Sequence, residues 1–460
     1  MESRKSHCSV TVIGAEASGK SRLVAHLVWN CGGIDKKAIE KYEKDVDAYQ
    51  KGHFRYYPMS LSSPAFELYL AGRNKLTLDI SVDRMELSGR VISLIDTPGI
   101  PNLLKNAATG ISLADIAILM IAPDPSPKEP IDKAISEYVL YAYAFGVKKL
   151  IVCINKMDDP KISWSQKIYE HASKQVSDLL TKVGYNPSNI PIIPISAVEG
   201  HNIREKRGDV LWYNGPTLLE ALESVIEFDR KKLEDLPLRI TVSHAFKIGG
   251  IGTVAVGKIA TGVLELDKAI SCAPGDFCVD VKSIEMHHEQ VDRAGPGDLV
   301  GIHFKGILVR DFHRGCVFGN DRNGKLREAV RFLAQVVIIK HSTEIKEGYT
   351  LVLDCHTAHV PCRFSKIKCI VNKKTGEVIE EDPKSVKAGD SCLVVLTPLK
   401  SVYVETFAEY PQLGRFVLRD SNYVIGAGIV KSVEKTWLKG EELAKVREEI
   451  DGKPEKSKDS

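Results

Sequence analysis

Val10-Thr11-Val12-Ile13-Gly14-Ala15-Glu16-Ala17-Ser18-Gly19-Lys20-Ser21 is the stretch from which the fold is read. Four β-branched residues make a strand, the next eight spell G-x-x-x-x-G-K-S, and a helical-period segment, 22–31, follows. Strand, glycine-rich loop and helix in this order form a phosphate cradle. The glycines let backbone N–H groups close around an anion, and the helix N-terminus adds a favourable dipole. In such a loop Lys20 reaches the β- and γ-phosphates and the Ser21 hydroxyl ligates magnesium. Gly14, Ala15, Glu16, Ala17, Ser18, Gly19, Lys20 and Ser21 are therefore the first candidate nucleotide contacts.

Outward from this loop, apolar runs alternate with helical stretches. Residues 91–95, 116–122, 150–154 and 192–195 are short aliphatic and β-branched segments, and 131–145 is a helical stretch closed by Gly146. Such runs, separated by helices, predict a parallel sheet covered on both faces. Three further motifs sit at the ends of these runs. Asp96-Thr97-Pro98-Gly99 offers a carboxylate that can hold magnesium through water and a Gly99 N–H that can meet a γ-phosphate. Asn155-Lys156-Met157-Asp158 offers the Asp158 carboxylate to the guanine N1–H and 2-amino group, a pair that adenine lacks. Ser196-Ala197 places a backbone N–H where the guanine O6 can sit. Any one of these is an ordinary loop sequence; four in order at strand ends predict a guanine-nucleotide site binding GTP or GDP with Mg2+.

The texture changes at 227–236 (EFDRKKLEDL), a charged helix end or linker. Short strands with glycine-rich turns follow, as in 247–258 (KIGGIGTVAVGK) and 294–300 (AGPGDLV). About 200 residues of such strands exceed one small barrel, so the segment is divided near 326–330. The length of 460 residues also suits about three domains. A formal charge of +3 is too small to imply nucleic-acid binding by itself. Ten cysteines without a CxxC pair read as reduced thiols. No signal segment and no apolar run of about 18 residues is present, so a cytoplasmic protein without a membrane span is expected.

Longer segments resemble the elongation factor 1-alpha family of translational GTPases. They are Cys31-Gly32-Gly33-Ile34-Asp35-Lys36, Lys105-Asn106 with Thr109-Gly110, 183–188 (VGYNPS), 247–254 (KIGGIGTV), 285–289 (EMHHE), 353–359 (LDCHTAH) and 413–419 (LGRFVLR). The likeness runs over about residues 7–435. It implies an α/β P-loop G domain (1–230) followed by two all-β barrels (237–328 and 329–436), with a polar tail at 437–460. It also implies GTP-dependent delivery of aminoacyl-tRNA to the ribosomal A site, with an exchange factor as a further partner. By the same resemblance Glu285, His287 and His288 lie near the aminoacylated end of the tRNA. His341, Tyr349, Arg415 and Arg419 face its stems. Ser21, Thr77 and, through water, Asp96 serve magnesium.

The sequence departs from the family where hydrolysis is performed. The family reads G-H-V-D-S-G-K-S in the first loop and D-A-P-G-H in the second. Here Glu16 and Ala17 stand at two loop positions, and Ile100 replaces the histidine that positions the attacking water. Water orientation and charge stabilisation are each worth roughly a few powers of ten in rate, so slower hydrolysis is expected unless another group acts. Glu16 is the candidate substitute. The first-switch region is replaced by 61–75 (LSSPAFELYLAGRNK), although Thr77 survives. The alternative is therefore a diverged paralogue that binds tRNA or another partner with weak or absent hydrolysis. Cys355, His356, His359 and Cys362 invite a zinc reading, but a single strand cannot bring all four together, and no zinc is expected.

Overall fold

A computed structural model of the chain describes residues 7–32, 77–125, 133–275, 277–287, 289–320, 326–373 and 375–436. Residues 33–36, the first-switch segment 61–75, His288 and the tail 437–460 lie outside them. The chain forms two compact units, residues 1–143 with 147–229, and residues 144–146 with 230–460.

The first unit is built on a six-stranded sheet in the order β2-β3-β1-β4-β5-β6. Its strands are β1 (His7–Gly14), β2 (Ser81–Leu87), β3 (Arg90–Asp96), β4 (Ile116–Ile121), β5 (Lys149–Ile154) and β6 (Ile192–Pro194). Every residue of β1 and β4 is buried, as a strand covered on both faces requires. The five apolar runs of the sequence all pair in parallel. β2 joins the edge antiparallel to β3. Its sequence SVDRMEL carries three charges, and only Met85 and Leu87 are buried, so no continuous apolar run marked it.

Helices α1 (Lys20–Asn30), α2 (Leu104–Ser112), α3 (Lys133–Ala144), α4 (Gln166–Val183) and α5 (Leu218–Val225) connect or follow these strands. α4 buries Ala172, Val176 and Leu180, one stripe at four-residue spacing, and stops at Gly184 with φ 116. α5 starts on a capping box between Thr217 and Glu220. Its last carbonyl, that of Val225, accepts from Lys149 Nζ at 2.6 Å. The charged stretch expected as a linker holds only the single-turn helix α6 (Lys231–Glu234).

The second unit holds two closed barrels. In the first, β7 (Arg239–Ile248), β8 (Gly252–Thr261), β14 (Leu299–Phe304), β11 (Phe277–Met286), β10 (Ala269–Ala273) and β15 (Val317–Gly319) form a ring, closed by the β10–β11 pairing. In the second, β16 (Glu328–Ile338), β22 (Ser391–Pro398), β19 (Ala358–Val371), β18 (Thr350–Cys355), β23 (Arg415–Asp420) and β24 (Tyr423–Thr436) close through β18–β19. Outside the rings, β9 (Leu264–Glu265) pairs with β13 (Arg293–Ala294), β17 (Ile345–Lys346) with β21 (Ser385–Val386), β12 (Glu289–Val291) with β11 and β20 (Val378–Glu381) with β19. Closure removes the unpaired strand edges that a flat sheet would expose. Each ring encloses its own apolar core, one including Phe304, Phe312 and Phe318, the other Phe332, Phe364 and Phe416.

The barrels meet across a small apolar cluster of Ala273, Val317, Leu326, Tyr403, Tyr410 and Leu413. Beside it Arg239 Nε donates to Tyr403 Oη at 2.9 Å, and the Tyr403 hydroxyl donates to Glu405. Lys435 Nζ lies 2.9 Å from the other Glu405 carboxylate oxygen. Two cations therefore share one buried carboxylate, which is ion-paired and hydrogen-bonded rather than left alone in the interior.

Candidate nucleotide site

Because β3, β1, β4, β5 and β6 are parallel, their C-terminal ends share one edge of the sheet, and the loops carrying the four motifs emerge together there. The first loop needs its glycines for space. A Cβ on Gly14, φ 148, would fall 2.3 Å from the Met120 carbonyl oxygen, and one on Gly19, φ 94, would fall 2.2 Å from Asn155 Nδ2. Ala17 between them is also left-handed, at φ 57. Helix α1 begins at Lys20 without a side-chain cap, which leaves its first N–H groups for an anion.

Lys20 is only 6% exposed. Its Nζ donates to the carbonyls of Gly14 at 2.9 Å and Ala15 at 2.7 Å. Burial lowers its pKa to about 8, against the opposing pull of the Asp96 and Glu16 carboxylates. Gly99 comes so close that a Cβ there would lie 2.3 Å from Lys20 Nζ and 2.8 Å from the Ala15 carbonyl oxygen. The two phosphate loops thus meet at one ammonium group. Ser21 Oγ is 3.1 Å from Thr77 Oγ1, which donates to Asp96 Oδ2 at 3.5 Å. Three segments distant in sequence therefore bring hard oxygen donors together, a set that fits Mg2+.

Asn155 ties the loop after β1 to the loop after β6. It is 2% exposed; its Nδ2 donates to the Ser18 carbonyl at 2.8 Å and its Oδ1 accepts from the Ala197 N–H at 2.9 Å. Lys156 is half-buried and left-handed, at φ 61. Asp158 Oδ1 is buried and has no hydrogen-bond partner among the described residues. An acceptor left so would cost free energy unless a ligand satisfies it. The Ser196 N–H donates to the His201 carbonyl at 3.2 Å, so both amides of Ser196-Ala197 have acceptors within the protein.

Two residues near this edge are not singled out as site residues by the sequence. The buried Tyr138 of α3 donates from Oη to the Pro98 carbonyl at 3.2 Å, steadying the loop that carries Gly99. Asn106 of α2 donates to the Leu78 carbonyl at 2.8 Å, linking the helix after that loop to the Thr77 segment. Both lie within helical sequence, where spacing does not reveal these contacts, although Asn106 belongs to a segment that carries the family resemblance. Ile100 is half-buried ahead of the 3-10 turn Pro101–Leu103, and Glu16 is exposed.

The residues expected near tRNA fall on both barrels. Glu285 is exposed on β11, and His287 follows in a left-handed turn at φ 49. Arg415 opens β23 over the Phe407 ring at 4.7 Å. Arg419 Nε donates to Asp354 Oδ2 at 2.8 Å, and the same buried carboxylate meets His359 Nδ1 at 2.7 Å. His341 Nε2 lies 3.2 Å from the Tyr349 hydroxyl. The single strand expected through 355–362 is instead a hairpin: β18 ends at Cys355, His356 and Thr357 turn, and β19 begins at Ala358. Cys355 and Cys362 point into the barrel core, while His356 Nε2 meets the Tyr403 carbonyl at 2.9 Å.

Comparison with known proteins bears on the family and the fold. The family described as "Elongation factor Tu GTP binding domain" matches residues 5–228, "Elongation factor Tu domain 2" matches 252–319, and "GTP-eEF1A C-terminal domain-like" matches 331–431. Elongation factor 1-alpha of Tetrahymena pyriformis is 43% identical over 438 residues, covering 94% of this chain and 98% of that protein. The Stylonychia lemnae elongation factor 1-alpha is 40% identical over 447 residues, covering 96% and 98%. The S. cerevisiae Ski7 GTPase-like domain, solved with GDP and inorganic phosphate, has a TM-score of 0.69 at 17% identity, covering 93% of this chain and 97% of that one. That last likeness bears on the fold alone.

Proposed function

The chain belongs to the elongation factor 1-alpha family of translational GTPases, and from that premise we propose how its residues deliver aminoacyl-tRNA to the ribosomal A site at the expense of GTP. The observation that carries the reading is the convergence, at one sheet edge, of the Lys20 ammonium, the Ser21–Thr77–Asp96 oxygens and the unpartnered Asp158 carboxylate oxygen.

In this reading Lys20 exchanges its two carbonyl acceptors for β- and γ-phosphate oxygens, and the first-loop amides close around the same group. Ser21, Thr77 and Asp96 hold magnesium, which when bound neutralises charge on the phosphates. Thr77 and the Gly99 N–H respond to the γ-phosphate, so loss of that group releases the segments on which they lie. Asp158 accepts from the guanine N1–H and 2-amino group. Asn155 acts by joining the loops rather than by touching the base. Ile100 gives the attacking water no polar atom, so intrinsic hydrolysis is slow and depends on the ribosome or on Glu16.

Glu285, His287 and His288 on the first barrel and Arg415 and Arg419 on the second are proposed tRNA contacts. His and Arg groups suit a stacked terminal base and backbone phosphates. The domain division at 1–230, 237–328 and 329–436, a cytoplasmic location and a guanine-nucleotide exchange factor belong to the same proposal. No helix among the described residues is long and apolar enough to cross a membrane.

The test is GTP hydrolysis with and without programmed ribosomes, alongside binding of aminoacyl-tRNA in GTP and in GDP. Ribosome-stimulated hydrolysis and a complex formed in GTP alone are expected. Preference for neither nucleotide, or a complex whose GTP ribosomes leave untouched, would overturn the delivery reading. Ile100→His should raise the ribosome-free rate by about tenfold or more if the missing histidine limits it.

A further inference from the structure

The loop after β5 (155–165) and the loop after β6 (195–217) are joined by a group of side chains that none of the steps above uses. The two loops contain four non-glycine residues with left-handed backbone: Lys156 at φ 61, Ser163 at φ 44, Trp164 at φ 51 and Asn202 at φ 59. Such backbone is unfavourable for residues with side chains and persists where its surroundings over-determine it.

Trp164 closes the first loop. Its N–H donates to the Met157 carbonyl at 2.8 Å, so residues 157–164 turn back on themselves. Inside that turn the Ile162 and Ser163 N–H groups donate to the Asp159 carbonyl at 2.8 and 2.7 Å. Asp158 sits in the same turn, and its Oδ1 has no hydrogen-bond partner among the described residues. The aim of that oxygen is therefore set by the backbone of the turn, and so by whatever holds Trp164.

What holds Trp164 comes from the other loop. The Arg207 guanidinium lies over the indole, 4.8 Å from the ring centroid, and the His201 ring makes a T-shaped contact at 5.9 Å. Arg207 is itself fixed on three sides. Its Nε and Nη2 donate to the two carboxylate oxygens of Asp209 at 2.6 and 3.0 Å. Its Nη1 donates to Glu199 Oε2 at 3.4 Å, and its backbone N–H donates to Oδ1 of the buried Asn202 at 2.9 Å. Glu199 Oε2 also lies 2.7 Å from His201 Nδ1. The group then reaches the Ser196-Ala197 segment. The Glu199 N–H donates to Ser196 Oγ at 2.9 Å, and the Ser196 N–H donates to the His201 carbonyl at 3.2 Å. The Arg207 and Asp209 side chains are 25% and 67% exposed, so their ion pair adds little to stability. What the planar fork supplies is orientation, stacking on a ring while its edges hold carboxylates.

We propose that Arg207 is a positioning residue for guanine recognition. Through Trp164 and Glu199 it holds the loop after β5 against the loop after β6, and so fixes the aim of the Asp158 carboxylate. This rests on the reading of Asp158 as the acceptor for the guanine N1–H and 2-amino group. Hydrogen bonds weaken steeply as their angle departs from linear, so a turn released from Arg207 loses the paired bond before it loses the phosphates. Inosine diphosphate (IDP) keeps the N1–H and lacks the 2-amino group. The ratio of GDP to IDP affinity therefore reports how well Asp158 is aimed.

The full chain with Mg2+ is titrated with GDP and with IDP in competition against a fluorescent GDP analogue, beside urea unfolding. The unaltered chain should prefer GDP by about tenfold or more. In Arg207→Ala that ratio should fall about fivefold or more toward unity, with the urea midpoint nearly unchanged. Arg207→Lys, a point charge without plane or fork, should behave like Arg207→Ala and keeps the test open if the alanine variant fails to fold. Trp164→Phe retains a ring face for Arg207 and should retain the ratio. Equal losses for GDP and IDP in Arg207→Ala, leaving the ratio intact, would show a merely structural contact and overturn the proposal. Full recovery of the ratio in Arg207→Lys would overturn it as well. Equal binding of GDP and IDP by the unaltered chain is a separate failure, seen before any variant is made. It would remove the guanine reading of Asp158 and the proposal with it.

Discussion

In the proposed reading Asp158 and Lys20 divide recognition between them, one for the base and the other for the phosphates. The Asp158 oxygen without a partner is suited to a pair of hydrogen bonds from guanine. Bonds to a charged acceptor are worth about 1.5–3 kcal/mol, so Asp158→Asn should weaken GTP binding roughly ten- to hundredfold. Weak ATP binding should be unchanged; titration of a fluorescent analogue of each nucleotide measures both, and equal losses would contradict the role. Lys20 predicts a pH dependence of known sign. Its pKa in the free protein is lowered to about 8 by burial, and only the ammonium form pairs with phosphate. Affinity for GTP should therefore fall as pH rises through 8, and this fall should vanish in Lys20→Arg, whose guanidinium stays charged. A flat profile in the unaltered protein would contradict it.

Elements explain why these side chains are where they are. Asn155 stands at the end of β5, yet it joins the loop after β1 to the loop after β6 through Ser18 and Ala197. Asn155→Ala should lower GTP and GDP affinity alike and cost about 1–3 kcal/mol of stability, read by thermal and urea unfolding. A change in base selectivity without a change in stability would point to direct base contact instead. Periodicity made β1, β3, β4, β5 and β6 legible because strands buried on both faces leave continuous apolar runs. It missed β2, whose outer residues face solvent and carry charge. It also missed the turn between β18 and β19, which contains no glycine or proline. Left-handed His356, φ 44, makes that turn, and its ring is anchored on the Tyr403 carbonyl of a remote segment.

Across the whole molecule, closure of two rings and the Arg239–Tyr403–Glu405–Lys435 group organise the second unit. Glu405 is 4% exposed and answers two cations. Removing one partner of a buried pair costs about 3–5 kcal/mol, so Glu405→Ala should lower the urea midpoint of the second unit accordingly, with nucleotide affinity retained. A midpoint within error of the natural chain would show that the group adds nothing to stability. The sequence by itself determined the glycine-rich loop between the first strand and helix, the Asn155–Asp158 tetrapeptide at a strand end, the parallel order of strands and helices and the change to barrels, because each is written in consecutive residues whose backbone geometry is local. Only the tertiary structure decided that Thr77 joins Ser21 and Asp96, that Tyr138 holds Pro98, and that Asn155 binds loops. Those meetings depend on which strands neighbour one another and in what register, a choice set by burial summed over the chain and carried by no single segment.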